Sequence, residues 1–371
     1  MTKYSVFRLE EWFEKYEFNV DHNLGSSSCA RMTIDDFFHI TGKPLDFRNI
    51  SLNATPGAGS EELRKEISLW YNKGSINNIY ITSSSTEAIF LLIESLLSEG
   101  DSLIAMFPMY PALYQLALDK KIEVRYWNLE HSNKFKPDFD DLIKLIDDST
   151  KLILINNPQN PTGQILLYED LKYLSDFSKK YGIQLWVDEV FRGITIDGGP
   201  VTPSIRDIDE SSIATGSMSK SFGLSGLRIG WISAPKKIIH DLYHIRFYTT
   251  VSAPILEQKI ATEAHRNREK IFFRNQTIIN NNYDYLKAWM VERQDIFHWI
   301  KPKGGPVTFP KFIPKIKTDE FCKKLVEEKS VLLVPGNYAF FSEGFIRIGY
   351  GESQNFEEGM SRISKILNDI F

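Results

Sequence analysis

Between about residue 60 and residue 233 the sequence alternates strand-like and helix-like segments, and this alternation restricts the possible folds more than any other feature. Lys151–Asn156 (KLILIN) is an almost continuous apolar run, which is typical of a strand buried on both faces. Segments with helical periodicity, such as Thr86–Ser98, Tyr110–Lys120 and Glu169–Tyr181, stand between the strands. Short connections between alternating strands and helices predict an α/β fold with a mostly parallel sheet covered by helices.

The pattern changes near residue 245, which suggests how the 371 residues are organised. A helical stretch from Ile255 to Val291 is long enough to be one connecting helix, and short strands mixed with helices follow it. We therefore predict a large domain over residues 47–245 and a smaller α+β domain over residues 246–371. Residues 1–46 are expected to form an N-terminal arm that belongs to the small domain and to the mouth of the site.

Composition excludes several classes of function. Forty-four basic and 48 acidic residues give a net charge of −4, which argues against nucleic acid or an anionic membrane as the main partner. The apolar run Ile89–Leu97 is interrupted by Glu94 and is shorter than the ~20 residues of a membrane span. Met1–Glu11 has no apolar core of a secretory signal. Cys29 and Cys322 form neither a disulfide framework nor a zinc set, so we expect a cytoplasmic protein without a metal site.

Three polar segments follow strands and carry the chemistry. Asn157–Gly163 (NPQNPTG) comes directly after a buried strand, and Trp186–Val190 (WVDEV) ends another strand with a carboxylate. In Ser217–Leu224 (SMSKSFGL) hydroxyls and a lysine stand among glycines, with Arg228 close behind, which suits the binding of an anion. Taken singly, each segment has a simpler explanation, such as a surface turn or a helix cap. In open α/β folds, however, such segments meet at the carboxyl edge of the sheet, where ligands bind.

Together and in this order, the three segments resemble those of fold-type I pyridoxal-phosphate enzymes of the class I/II aminotransferase group. The resemblance extends over essentially the whole chain and implies pyridoxal 5'-phosphate as cofactor, an amino-acid substrate and a homodimer. Lys220 matches the lysine that carries the cofactor and moves protons at the substrate α-carbon. Asp188 matches the carboxylate beneath the pyridine nitrogen, and Asn160 matches the amide that bonds the phenolic oxygen of the ring.

Other site residues follow from the same resemblance. Tyr110 matches the aromatic residue that stacks on the cofactor ring, although a core aromatic at the start of a helix is an equally simple interpretation. Arg347 matches the arginine that holds the substrate α-carboxylate with a bidentate fork, and Asn160 lies in the same substrate-binding set. An arginine within an apolar strand is costly unless it is paired, which favours this role. The residues that match the phosphate ligands are Ser85, Thr86, Ser217, Ser219 and Arg228.

A narrower resemblance concerns the N-terminus. Leu9–Phe13 (LEEWF), Tyr16 and Gly25–Ser28 (GSSS) resemble the opening of capreomycidine synthases, which cyclise a hydroxylated arginine on the aminotransferase fold. Closely related enzymes form enduracididine from 4-hydroxyarginine. Two departures from the aminotransferase pattern point the same way, because Phe191 and Ala54 stand where the family commonly has tyrosines. These departures leave the cofactor in place but put plain transamination in doubt.

We therefore expect a lyase-like cyclase that acts on 3-hydroxy- or 4-hydroxyarginine in natural-product biosynthesis. Gly25 and Ser26 are expected to line the mouth of the site, with Asp21 or His22 as the guanidine partner or proton shuttle. Solvated loop residues are the alternative interpretation of Asp21 and His22. An ordinary aminotransferase remains the main alternative function, followed by an eliminating lyase. A DNA-binding regulator is disfavoured, because only about 50 residues precede the large domain and they are not basic.

Overall fold

The computed structural model describes residues 4–42, 44–352 and 355–370. The strands are β1 (His22–Asn23), β2 (Ile79–Thr82), β3 (Ser102–Phe107), β4 (Glu123–Asn128), β5 (Thr150–Asn156), β6 (Gln184–Asp188), β7 (Ile213–Ser217), β8 (Gly230–Ser233), β9 (Phe297–His298), β10 (Val307–Thr308), β11 (Lys311–Phe312), β12 (Val331–Leu332), β13 (Val334–Pro335) and β14 (Ile346–Gly349). The α-helices are α1 (Arg8–Tyr16), α2 (Ile34–Thr41), α3 (Glu61–Ser68), α4 (Ser85–Leu96), α5 (Gln115–Asp119), α6 (Phe139–Lys144), α7 (Tyr168–Tyr181), α8 (Ile205–Ile208), α9 (Lys236–Arg246), α10 (Ile255–Arg266), α11 (Arg268–Val291), α12 (Thr318–Lys329), α13 (Gly336–Ala339) and α14 (Phe356–Ile370).

A seven-stranded sheet lies at the centre, in the order β2-β8-β7-β6-β5-β3-β4. Strand β8 runs antiparallel to both of its neighbours, and the other pairings are parallel. Apart from Lys151, every residue of β5 is buried, as the continuous apolar run predicted. The α/β fold class predicted from the sequence is confirmed, with a mostly parallel sheet flanked by helices.

Two predicted helices were wrong in detail. Tyr110–Lys120 contains a short 3-10 turn over Pro111–Leu113 and then α5, because Tyr114 has a non-helical φ of −128°. The stretch from Ile255 to Val291 is two helices, α10 and α11, which meet at Asn267 with φ −105° and ψ 20°. The Asn267 side-chain amide donates to the backbone carbonyl of Glu263 and to its carboxylate. Such local side-chain bonds compete with the helical hydrogen-bond pattern.

The N-terminal arm packs against the C-terminal part of the chain. Strand β1 pairs in parallel with β12, and the indole N–H of Trp12 in α1 donates to the Leu333 carbonyl over 2.9 Å. Strands β10, β14 and β13 form a separate antiparallel sheet. The domain boundaries at residues 46 and 245 stay predictions. Among the described residues, no helix has both the length and the apolar character needed to cross a bilayer.

Register within the central sheet brings the polar strand ends together. Asn156 of β5 is opposite Asp188 of β6, which in turn is opposite Thr215 of β7. The strands are parallel, so the loops that follow them emerge at one edge. The site is built at this edge.

Candidate active site

A cavity of about 800 Å³ opens at the carboxyl edge of the sheet. Its walls come from the sheet edge, from the start of α4, from the C-terminal part of the chain and from the N-terminal arm. The residues expected from the sequence that line it are Ser26, Ser85, Thr86, Tyr110, Asn160, Asp188, Ser219, Lys220, Arg228 and Arg347. Segments separated by more than 300 residues in the chain therefore meet in one cavity.

Asp188 is a buried carboxylate with neutral hydrogen-bond donors. Its Oδ1 accepts from the Thr215 hydroxyl over 2.7 Å, and its Oδ2 accepts from the Asn156 side-chain amide over 3.3 Å. Burial raises the pKa of Asp188 to about 7, because desolvation disfavours the charged form more than these bonds stabilise it. A cationic group placed against this carboxylate would compensate the buried charge.

Arg347 lies on β14 and is only 1% exposed. One terminal nitrogen donates to the Asn160 side-chain oxygen over 3.2 Å, and the other donates to the Gly25 carbonyl over 2.6 Å. The Arg347 Nε is buried and has no hydrogen-bond partner among the described residues. Burial lowers the pKa of Arg347 to about 10, so the guanidinium still carries its charge at neutral pH. An anion such as a carboxylate would satisfy the unpaired nitrogen.

The Lys220 amine points to the serine-rich segment of the N-terminal arm. Its Nζ donates to the Ser27 hydroxyl over 3.0 Å and reaches the Ser28 hydroxyl at 3.5 Å. Burial, followed by the nearby charge of Arg347, lowers the pKa of Lys220 to about 8. A substantial fraction of the amine is therefore neutral and nucleophilic near physiological pH.

An anion cradle forms where α4 starts. The first-turn N–H groups of a helix have no intrahelical acceptor and attract negative charge, and here they belong to Ser85 and Thr86. The preceding Ser84 has φ +93°, a conformation costly for a residue with a side chain. A Cβ at Gly230 would lie only 2.5 Å from the Ser85 backbone nitrogen, so glycine is needed for β8 to approach the helix start this closely. Arg228 adds a positive charge on the cavity wall.

Tyr110 lines the cavity, and its hydroxyl donates to the Glu10 carboxylate of α1 over 2.9 Å. Burial raises the pKa of Tyr110 well above its usual range, and the charge of Glu10 acts in the same direction. The ring is thus held in its neutral form as part of the wall. Stacking on a cofactor ring stays a prediction for this residue.

Four predicted site residues lie outside the set that lines the cavity. The Ser217 hydroxyl accepts from the Ser219 backbone N–H, and Gly25 contributes its carbonyl to Arg347. Asp21 binds the Arg362 guanidinium over 2.7 Å on an exposed surface. His22 is buried in β1, with its Nε2 3.5 Å from the Glu358 carboxylate. The structure therefore does not place Asp21 and His22 among the residues that line the cavity.

Sequence reasoning gave no role to several polar residues that the structure places here. Thr215 and Asn156 hold the Asp188 carboxylate, and polar residues at the ends of otherwise apolar strands were the available signal. Glu10 and Glu17 of the N-terminal arm both line the cavity. Their spacing of seven residues was the signal, because it puts two side chains on one face of a helix.

Comparison with known proteins places the chain in a family. The model of the family described as Aminotransferase class I and II matches residues 42–363. The chain belongs to this family. Capreomycidine synthase from Streptomyces vinaceus is 28% identical over 97% of the chain and 93% of its own length.

Two solved structures are similar over the full length. A PLP-dependent aminotransferase from Streptococcus suis is 29% identical, with a TM-score of 0.94 over 100% of this chain and 99% of its own. The PLP-dependent cyclase OrfR is 25% identical, with a TM-score of 0.92 over the same shares of the two chains. Both an aminotransferase and a cyclase are therefore close in fold.

Family membership makes pyridoxal phosphate the cofactor, and the cavity fits it. The anion cradle at the start of α4 suits the phosphate, and the buried carboxylate of Asp188 suits the protonated ring nitrogen. Lys220 supplies an amine of lowered pKa for the aldehyde. The start of α4, the Asp188 carboxylate and the Lys220 amine thus match the phosphate, the ring nitrogen and the aldehyde of one molecule.

The lowered pKa of Lys220 predicts how cofactor attachment depends on pH. Only the neutral amine is a nucleophile, so the rate of attachment to cofactor-free protein should rise about tenfold per pH unit below pH 8 and level off above it. Stopped-flow absorbance after mixing protein with pyridoxal phosphate measures this rate. A rate that keeps rising to pH 10 would show an amine with the ordinary lysine pKa.

Proposed function

We propose that the protein cyclises a hydroxylated L-arginine, 4-hydroxy- or 3-hydroxyarginine, to a cyclic guanidine amino acid such as enduracididine or capreomycidine. The likeness to capreomycidine synthase carries this proposal. The match covers 97% of the chain, so it includes most of the N-terminal arm. The family model, by contrast, begins only at residue 42, after most of this arm. This arm reaches the chemistry, because Ser27 contacts the Lys220 amine and the Gly25 carbonyl contacts Arg347.

The chain's own residues have separate tasks in this reaction. When bound, the cofactor supplies an electron sink that stabilises negative charge at the substrate α-carbon. Arg347 would hold the α-carboxylate, and the Lys220 amine would remove the α-proton and later deliver a proton to the same carbon. Asp188 would provide the buried negative charge that keeps a proton on the cofactor ring nitrogen.

Ring closure then depends on the substrate's conformation. With a β-hydroxyl, the α-proton and the hydroxyl leave together as water. With a γ-hydroxyl, the α-proton and a β-proton are both removed before the hydroxyl leaves. A guanidine nitrogen then bonds to the carbon that carried the hydroxyl and gives up its proton, and each carbon that lost a proton is reprotonated. The net change is the loss of one water. Because nucleophile and alkene belong to one molecule, correct folding of the side chain gives a large effective concentration. The N-terminal arm, which forms part of the cavity wall, would keep competing water away.

Mass spectrometry of the reaction without any oxo acid tests the proposal. The holoenzyme is incubated with 3-hydroxy-, 4-hydroxy- and unmodified L-arginine. We expect one hydroxyarginine to lose one water and keep all four nitrogens, and unmodified arginine to give no dehydrated product. In D₂O the product should gain deuterium at the α-carbon. Hydroxyarginines that persist unchanged would contradict the cyclase.

The alternative function is an aminotransferase that moves the α-amino group of an amino acid to a 2-oxo acid. The full-length likeness to the Streptococcus suis aminotransferase favours it. In that case the hydroxyarginines stay unchanged, and common amino donors turn over once an oxo acid is added. For either activity, the family resemblance supports our further proposal of a homodimer.

A further inference from the structure

Two carboxylates of the N-terminal arm line the cavity and have no part in the proposed reaction so far: Glu10 on α1 and Glu17 directly after it. Glu10, Phe13 and Glu17 all line the cavity, and their spacing of three and four residues puts them on one side of the helix end. The Arg347 guanidinium lies over the Phe13 ring, 5.7 Å from its centre. The two carboxylates therefore flank the residue that packs against the carboxylate-binding arginine.

In the part of the chain that the structure describes, neither carboxylate has a cationic partner to itself, and Glu10 is an exposed residue. Among the described residues, no lysine, arginine or histidine side chain lies within 4 Å of the Glu10 carboxylate, whose hydrogen-bond partner is the neutral Tyr110 hydroxyl. The exposed Arg31 guanidinium is shared, with 3.6 Å to the Glu17 carboxylate and a closer bond to Glu352. Burial and the negative charge of Glu352 raise the pKa of Glu17, and the positive charges of Arg31 and Lys220 offset part of this rise.

The other charged groups of the cavity have partners or assigned ligands. In the proposed site Arg228 would serve the phosphate and Asp188 the ring nitrogen, and Arg347, with its buried and unpaired Nε, would serve the α-carboxylate. Asp119 also lines the cavity, but the Ser5 backbone N–H donates to its carboxylate. With the amino-acid end fixed between Lys220 and Arg347, only the substrate side chain remains to reach α1.

We propose that Glu10 and Glu17 bind the cationic end of the substrate side chain, a guanidinium, and that α1 is the element that selects for it. This inference rests on the proposed function and replaces Asp21 and His22 as the guanidine partners. A planar guanidinium offers five N–H donors, enough for two carboxylates. Binding on α1 would also fold the side chain back over the reacting carbons, as ring closure requires.

Two unreactive ligands test this directly. δ-Guanidinovaleric acid and δ-ureidovaleric acid are arginine and citrulline without the α-amino group, so neither can react with the cofactor. They differ in the charge at the side-chain end. Titration calorimetry with the holoenzyme should show the guanidino acid binding at least about thirtyfold more tightly than the ureido acid, since hydrogen bonds between charged groups are the strong ones.

Variants of α1 assign the preference. Glu10→Gln and Glu17→Gln should each reduce the ratio of the two dissociation constants about tenfold, with little change in ureido-acid binding. Glu14→Gln is the matched control, because Glu14 is an exposed residue of the same helix and does not line this cavity. It should leave the ratio unchanged. Equal ratios in all three variants would overturn the inference.

The outcomes also separate this inference from the proposed function. If the ratio of dissociation constants depends on Glu10 and Glu17 but the protein does not dehydrate hydroxyarginine, the guanidinium subsite is supported and the cyclase is rejected. If the protein dehydrates hydroxyarginine but Glu10→Gln and Glu17→Gln leave the ratio of dissociation constants unchanged, the cyclase is supported and the subsite is rejected.

Discussion

Replacing Lys220 by alanine is expected to reduce turnover by at least about 10³-fold, whichever reaction the protein catalyses. The Lys220 amine is the cavity group with a pKa lowered to about 8, and it lies within hydrogen-bond reach of Ser27 and Ser28. Without it, neither the covalent attachment of the cofactor nor the transfer of the α-proton has a group to perform it. Steady-state kinetics on the preferred substrate measures the loss.

The cause of that loss can be separated from misfolding. Borohydride treatment followed by peptide mass spectrometry should find the cofactor fixed to Lys220 in the wild-type protein and to no peptide of the variant. Removing a buried amine relieves its desolvation, so the thermal midpoint should not fall. Added methylamine should restore part of the proton transfer. Full activity of Lys220→Ala, or fixation at another lysine, would remove the basis of the mechanism.

The position of a site residue could be predicted from the sequence where its neighbours in the chain determine that position. Asp188 ends β6 and Asn160 lies in the loop that follows β5, so the parallel sheet brings them to one edge. The reversed direction of β8 was not predictable in this way, because a short apolar strand has the same pattern in either direction. The break at Asn267 coincides with side-chain hydrogen bonds to Glu263 inside a helical pattern, and the periodicity of the sequence does not reveal them.

Residues of the N-terminal arm were harder to place, because their position depends on contacts with the far end of the chain. The sequence LEEWF offers two adjacent acids, and only the packing of α1 shows that Glu10 lines the cavity. Asp21 was a reasonable guanidine partner by residue type. The Arg362 guanidinium of α14 binds it instead, and no local pattern in either segment indicates that pairing.

Asp188→Asn is expected to lower kcat by about 10²- to 10³-fold, comparable to removing one preorganised electrostatic group from an active site. The buried carboxylate, held by Thr215 and Asn156, is the negative charge that would keep the cofactor ring nitrogen protonated in the proposed mechanism. Asparagine has the same shape but carries no charge. Kinetics of Asp188→Asn beside Asp188→Glu measures the effect, and the glutamate variant, which keeps the charge, should retain more activity than the asparagine variant.

The stability of the cofactor-free protein gives Asp188 a second, independent test. Folding raises the pKa of this carboxyl from its ordinary value to about 7, so the folded state binds the proton more tightly than the unfolded state. Its contribution to the free energy of unfolding therefore falls as the pH rises from about 4 to 7, by up to ~4 kcal/mol. Asp188→Asn lacks this titration. The free energy of unfolding of the variant minus that of the wild type should therefore increase between pH 4 and pH 8. Urea denaturation of both proteins across this range measures the difference. A constant difference would mean that Asp188 keeps an ordinary pKa and that burial does not prepare it for a cationic partner.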